Sequence, residues 1–213
     1  MADTTEICSQ VCPGLNEATD TEWIGIKFLQ YVSPSREPSR MQPMRFCEAI
    51  YRARDGAIDL SAEMVCCEGA RRAFGWMKNR DEVFSRRLSE KIGVNPERVF
   101  ELVRQVPALG YPYAGIRVGA GINADVLVAY VQPETAMRLI RWWETASGRS
   151  LRADVSSIMA VCGNAVVKAY MNQAVSISFG CPDSRRYGGI GPEQMVVAVP
   201  AGLLRGLAGS RQS

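Results

Sequence analysis

The stretch Ser176-Ile177-Ser178-Phe179-Gly180-Cys181-Pro182-Asp183-Ser184-Arg185-Arg186-Tyr187-Gly188-Gly189 decides how the chain is read. A strand-like run ends in a Gly-Cys-Pro turn. Pro182 has no backbone N–H to give to a sheet ladder, so the strand stops by Cys181. A thiol at a strand end, with Arg185 and Arg186 just beyond it, sits where positive charge favours thiolate over thiol. The same residues also suit a plain loop with a buried cysteine and two solvated arginines.

Working outward, the chain has 213 residues, 47% of them hydrophobic, which suits one large domain or two small lobes around a substantial core. A formal net charge of +3 is too mild to argue for nucleic acid or an anionic membrane surface, and neither is expected as a partner. No apolar run approaches the roughly 18–20 residues of a membrane span. The polar, acidic start Met1-Ala2-Asp3-Thr4-Thr5-Glu6 lacks the pattern of a signal peptide, so a cytoplasmic protein is expected.

Two facts of composition carry chemistry. The chain has seven cysteines (Cys8, Cys12, Cys47, Cys66, Cys67, Cys162 and Cys181) and no histidine. The absence of imidazole removes Ser-His-Asp triads, Cys-His dyads, His-ligated catalytic zinc and His-ligated haem. Any metal here must be held by thiolate or carboxylate. In a cytoplasmic chain the cysteines point to metal, redox chemistry or buried thiols rather than a disulfide framework.

Residues 1–20 read as a leader, followed by a single domain over 21–213. Cys8 and Cys12 stand at helical i, i+4 spacing in that leader, and a terminus of this kind holds a site poorly. Strands are expected over 23–29, 57–65, 116–118, 124–131, 174–179 and 195–199, and helices over 46–53, 68–75, 81–92, 96–105, 133–146, 158–172 and 201–207. Residues 33–43, with three prolines, read as a loop, and Gly115 to Gly121 as a hairpin or turn. The fold class is α+β, with mixed sheet(s) and helices in one compact domain. A division into two related lobes stays open: 19 positions separate Cys47 from Cys66, and 19 again separate Cys162 from Cys181.

Cluster ligands must converge from several segments, and Cys47, Cys67, Cys162 and Cys181 all fall where a helix begins or a strand ends. They form the expected ligand set of one 4Fe-4S cluster, with Cys66 the substitute for Cys67. No C-x2-C pair occurs, so neither a ferredoxin run nor a zinc ribbon is present, and structural zinc or inert thiols remain alternatives. Arg71-Arg72 follow Cys67 as Arg185-Arg186 follow Cys181. Their planar forks suit an anionic group, so Arg72 and Arg185 are the expected cofactor-binding residues beside the cluster.

The segments Cys47-Glu48-Ala49, Cys67-Glu68-Gly69-Ala70 with Phe74-Gly75, Ser178-Phe179-Gly180-Cys181-Pro182-Asp183-Ser184-Arg185, and Glu193 through Val199-Pro200 resemble the DUF169 family of bacterial and archaeal proteins. The resemblance runs from about Trp23 to Leu204 and is carried most specifically by Ser-x-Gly-Cys-x-x-Ser-Arg. It implies one compact family fold and no particular reaction. Cys47, Cys67 and Cys181 belong to it, whereas Cys8, Cys12 and Cys66 fall outside.

The expected function is that of a cytoplasmic iron–sulfur protein in electron transfer, or one giving redox assistance to an enzyme, with a redox partner protein. The alternatives are a cluster-free enzyme or anion-binding protein, in which Cys181 or Cys67 is the thiolate and Arg185 and Arg186 bind an acidic small molecule, and a structural module. A homo-oligomer stays open.

Overall fold

The computed structural model describes residues 21–31 and 42–203. The leader with Cys8 and Cys12, the proline-rich stretch over 32–41 and the end of the last expected helix lie outside the described residues.

Alternation builds the first strand. In β1 (Ile24–Leu29), Ile24, Ile26 and Phe28 turn to one face and are buried there. Helix α1 (Phe46–Arg52) follows, then β2 (Ile58–Ser61) and α2 (Glu68–Ala73). Two longer helices, α3 (Arg80–Ile92) and α4 (Pro96–Gln105), form a hairpin before β3 (Gly115–Gly119). The start of α4 is fixed by Asn95, whose Oδ1 accepts from the Glu97 N–H at 2.8 Å, and by Pro96 in the first turn. Strand β4 (Val126–Val131) leads into α5 (Pro133–Ser147). A π-helix (Ala160–Val167) then runs into α6 (Lys168–Asn172), followed by β5 (Ser176–Ser178), α7 (Pro182–Tyr187) and β6 (Met195–Pro200).

The six strands form one sheet in the order β2-β3-β1-β4-β6-β5. The α+β class is as expected, but every pairing of these strands is antiparallel where a mixed sheet had been expected. The reason lies in the connections. The link through α1 carries the chain from β1 to β2, and β3 inserts between them antiparallel to both, a split β-α-β arrangement. The second half does the same, with β6 inserted between β4 and β5. The strand expected over 116–118 is therefore internal to the sheet and takes in Gly115 and Gly119, which had read as part of a hairpin or turn. Its Gly119 packs so closely on Ala57 that an added Cβ would lie 2.9 Å from the alanine methyl.

The two halves match in register. Laying β1 on β4 and β3 on residues 195–199 places 58–60 on 176–178, and every cross-strand pair of the first half except Ser61↔Gly115 then falls on a pair of the second. Gly25↔Gly119 becomes Leu127↔Val199, and Ile58↔Val118 becomes Ser176↔Ala198. The central pairing of β1 with β4 is symmetric about Gly25↔Leu127. The division into two related lobes that the sequence leaves open is realised as two halves of one continuous sheet, related by a local two-fold.

One face of the sheet is covered by α1, α2 and the π-helix, whose Phe46, Ile50, Ala73, Phe74, Val161 and Ala165 close the main core over Ile26, Ile116 and Val126. Helix α5 covers the second half of the other face, with Leu139 and Trp143 against Leu127 and Val197. On that face the first half is polar instead, pairing Lys27 with Asp125 and Arg117 with Asp59. Among the described residues no helix is long and apolar enough to cross a membrane.

Gly25 sits where the halves meet, and an added Cβ would lie 2.7 Å from the Ile122 side chain and 2.9 Å from that of Ala124. Gly25→Val is expected to destabilise the fold by about 1–3 kcal/mol through overpacking. Urea denaturation checks this, and an unchanged midpoint would contradict the packing described.

Candidate functional site

Four short elements on the covered face each present one cysteine at or near their first turn. Cys47 is the second residue of α1, and Cys67 is the N-cap of α2. Cys162 is the third residue of the π-helix, and Cys181 is the N-cap of α7. In the duplicated order of elements Cys47 corresponds to Cys162, and Cys67 to Cys181. Each half therefore supplies one cysteine inside a helical turn and one capping a short helix after a strand.

The sequence makes these turns. After β5, Gly180 takes φ +80, a left-handed conformation suited to glycine, and turns the chain into Cys181. Pro182 opens α7 at N1. The Ser184 hydroxyl accepts from the Cys181 N–H at 2.7 Å and donates to the Cys181 carbonyl at 2.9 Å. The loop expected after Cys181 is thus a short capped helix, and Arg185 and Arg186 stand in its last turn.

Glycines let the elements close on one another. A Cβ on Gly188, just past α7, would lie 3.0 Å from the Cys47 Cβ. One on Gly69 would lie 2.9 Å from the Met159 side chain and 3.8 Å from the Cys67 sulfur. One on Gly163 would lie 2.5 Å from Val106. Arg45, ahead of α1, reaches across to Asp183 in α7 at 3.4 Å and stacks over the Tyr187 ring at 4.0 Å.

The four thiols lie within electrostatic reach of one another. Cys47 and Cys162 are buried, Cys67 and Cys181 half-buried, and none is in a disulfide. Burial pushes the Cys47 thiol up to about 12, and the charges of Cys67 and Cys181 push the same way, against the pull of the Glu48 N–H. Burial and Cys181 raise Cys67, opposed by the N–H groups of Ala70 and Gly69. Cys162 is raised well above its ordinary value by burial and then by Cys67, Cys181 and Cys47, with the Gly163 N–H opposing. Thiols in such surroundings hold their protons at neutral pH unless a cation replaces them. Among the described residues no group of three or more His, Cys, Asp or Glu side chains is placed to hold a metal ion.

The structure thus brings Cys47, Cys67, Cys162 and Cys181 to one region, while Cys66 is exposed beside it. The two arginines expected to face a cofactor are engaged within the chain. Arg72 is buried, with Nε donating to Asp81 at 2.8 Å and Nη1 to the Val106 carbonyl at 2.5 Å. Arg185 staples the loop before β6, donating to the carbonyls of Gly191 at 2.6 Å and Gln194 at 3.0 Å. Arg186 lies over the Tyr187 ring at 5.3 Å. Two surface cavities, of about 470 and 550 Å³, lie elsewhere, beside Asp81 and Phe100 and beside Met137 and Phe179.

Sequence reasoning missed Arg45 and Tyr130. Arg45 is the N-cap position two residues ahead of Cys47, a signal that was available. The Tyr130 hydroxyl is shielded from solvent with no hydrogen-bond partner. The ring position follows from strand alternation, but the missing partner does not.

Fold and site together define a duplicated α+β protein with a convergent set of four cysteines. The chain belongs to the DUF169 family, described as uncharacterised ArCR, whose model matches residues 17–209. It is also similar to the uncharacterized protein MJ0308 of Methanocaldococcus jannaschii, at 31% identity over 170 residues, which covers 76% of this chain and 73% of that protein. No solved structure matches.

Folding and thiol protonation are linked. Above the ordinary thiol value of 9.0 the unfolded chain gives up its cysteine protons, while buried Cys47 keeps its own until about 12. The folded state binds that proton more tightly, so its stabilising contribution is complete below pH 9 and is lost as pH rises toward 12. The melting temperature of the metal-free chain is expected to fall across this window, and less steeply in Cys47→Ala. Equal slopes would show that Cys47 is not held as described.

Proposed function

We propose that the protein is an iron–sulfur protein that holds one 4Fe-4S cluster on Cys47, Cys67, Cys162 and Cys181 and exchanges electrons with a partner protein in the cytoplasm. The observation that carries this reading is the convergence of four cysteines, two buried and two half-buried, contributed by four separate segments. Such a set is costly to bring together as thiolates and is repaid when iron takes the place of the protons.

The donor chemistry, four cysteines in a chain without histidine, suits an iron–sulfur cluster. Thiolates around one zinc lie at about 2.3 Å from a common centre. Around a four-iron cube each thiolate binds a different iron, so the sulfurs stand farther apart. The cluster supplies a one-electron reservoir when bound. The chain's own part is to orient four sulfurs, to shield Cys47 and Cys162 from water, and to offset negative charge with the N–H groups of Glu48, Gly69, Ala70 and Gly163. Cys67 and Cys181, half-buried, mark the edge nearest solvent, where an electron would pass to a partner.

The same contacts weigh against a thiolate enzyme binding an acidic small molecule. Burial holds Cys67 protonated, and Arg185 is occupied by loop carbonyls. Arg72 acts here through structure, fixing α2 to Asp81 and to the end of α4 beside Met159.

Protein purified without oxygen, or reconstituted with ferrous iron and sulfide, is expected to be brown with about four irons and four sulfides per chain. Alanine at Cys47, Cys67, Cys162 or Cys181 is expected to cut retained iron several-fold, while Cys66→Ser leaves it unchanged. A colourless chain that takes up no iron, or a loss of iron confined to Cys66→Ser, would overturn the reading.

A further inference from the structure

Tyr130 is the fifth residue of β4, on the same face as Val126 and Val128, and so points into the core beneath the cysteine-bearing elements. Its hydroxyl is shielded from solvent and has no hydrogen-bond partner. Tyrosine hydroxyls that are buried are normally paired, so this one marks a place for an acceptor. Cys47, Arg54 and Cys181 lie close enough to act on it electrostatically. Arg54 is occupied by Glu22 at 2.9 Å and by the Tyr51 ring. Arginine can also only donate, so it offers the hydroxyl nothing to bond to.

The local two-fold supplies a control. Superposing β1 on β4 places Phe28 on Tyr130. Phe28 fills its position as a ring alone, packed on Phe74, Tyr113 and Tyr170. The fold therefore accepts phenylalanine at this register, and the second half differs by one buried hydroxyl without a partner.

We infer that the Tyr130 hydroxyl donates a hydrogen bond to a sulfur of the bound cluster on its Cys47–Cys181 side, and so makes the cluster easier to reduce. The inference rests on the cluster reading above and adds to it a residue that sets the potential without ligating iron. Adding an electron puts more negative charge on the sulfurs, and a hydrogen bond to the charged form strengthens. The bond thus stabilises the reduced state more than the oxidised one. No atom is transferred: the proton stays on the Tyr130 oxygen, whose own ionisation is pushed up by burial and by the charge of Cys47.

The test compares the full chain with Tyr130→Phe, both reconstituted with ferrous iron and sulfide under argon. The variant is expected to keep its iron and its melting temperature while its midpoint potential, followed by electron paramagnetic resonance, moves negative. In the unaltered protein, electron–nuclear double resonance on the reduced cluster after exchange into deuterium oxide is expected to show one strongly coupled exchangeable proton that the variant lacks. This second measurement needs only the unaltered chain to fold. Unchanged potential, or no such proton in the unaltered protein, overturns the bond and leaves the cluster standing. A chain that binds no iron overturns both.

Discussion

Four sulfur atoms that repel one another as thiolates are packed into one region beneath a covered sheet face, and the surrounding architecture follows from holding them there. Each comes from a different element, so no local stretch of chain can form the site. The cost of burial falls on the charged form, and Cys47, Cys67 and Cys162 are all displaced toward the thiol. Offsetting this, backbone N–H groups at the starts of the helical turns point at the sulfurs. The glycines at 69, 163 and 188 remove the side chains that would keep the elements apart.

The duplicated sheet explains how such convergence arises simply. Each half offers the same two positions, one cysteine in a helical turn after the first strand and one capping a helix after the second. Joining β1 to β4 across Gly25 and Leu127 puts both sets on the same face, because a two-fold normal to a sheet preserves its faces. The halves then diverge where the symmetry is not needed. The α3–α4 hairpin belongs to the first and α5 to the second, and the polar ion pairs of the first half occupy the face that α5 covers in the second.

Much of this was legible in the sequence, for identifiable reasons. Four of the cysteines fall at element junctions in the sequence, and the fold brings those four to one region. The repeated 19-residue spacing pointed to the duplication, since Cys66 adjoins the true counterpart Cys67. Alternation placed β1, a continuous apolar run placed β4, and Asn95-Pro96 placed α4. What was not legible depends on contacts distant in sequence. The glycines of β3 read as turn residues, yet Gly119 is small because Ala57 lies against it. Helix α7 is too short to show periodicity and is set by the Cys181–Ser184 hydrogen bonds. The π-helix is buried on all sides, so it has no polar face to reveal its pitch. Arg72 and Arg185 read as free forks because Val106, Gly191 and Gln194, the carbonyls that occupy them, are brought near by folding alone.

The central claim is geometric, that one inorganic centre lies among sulfurs from both halves of the sheet. The most direct measurement is an iron anomalous difference map from crystals grown without oxygen. It is predicted to show one compact iron peak bounded by the sulfurs of Cys47, Cys67, Cys162 and Cys181. Iron bound anywhere else, or those four sulfurs lying apart with no metal between them in iron-replete crystals, would contradict it.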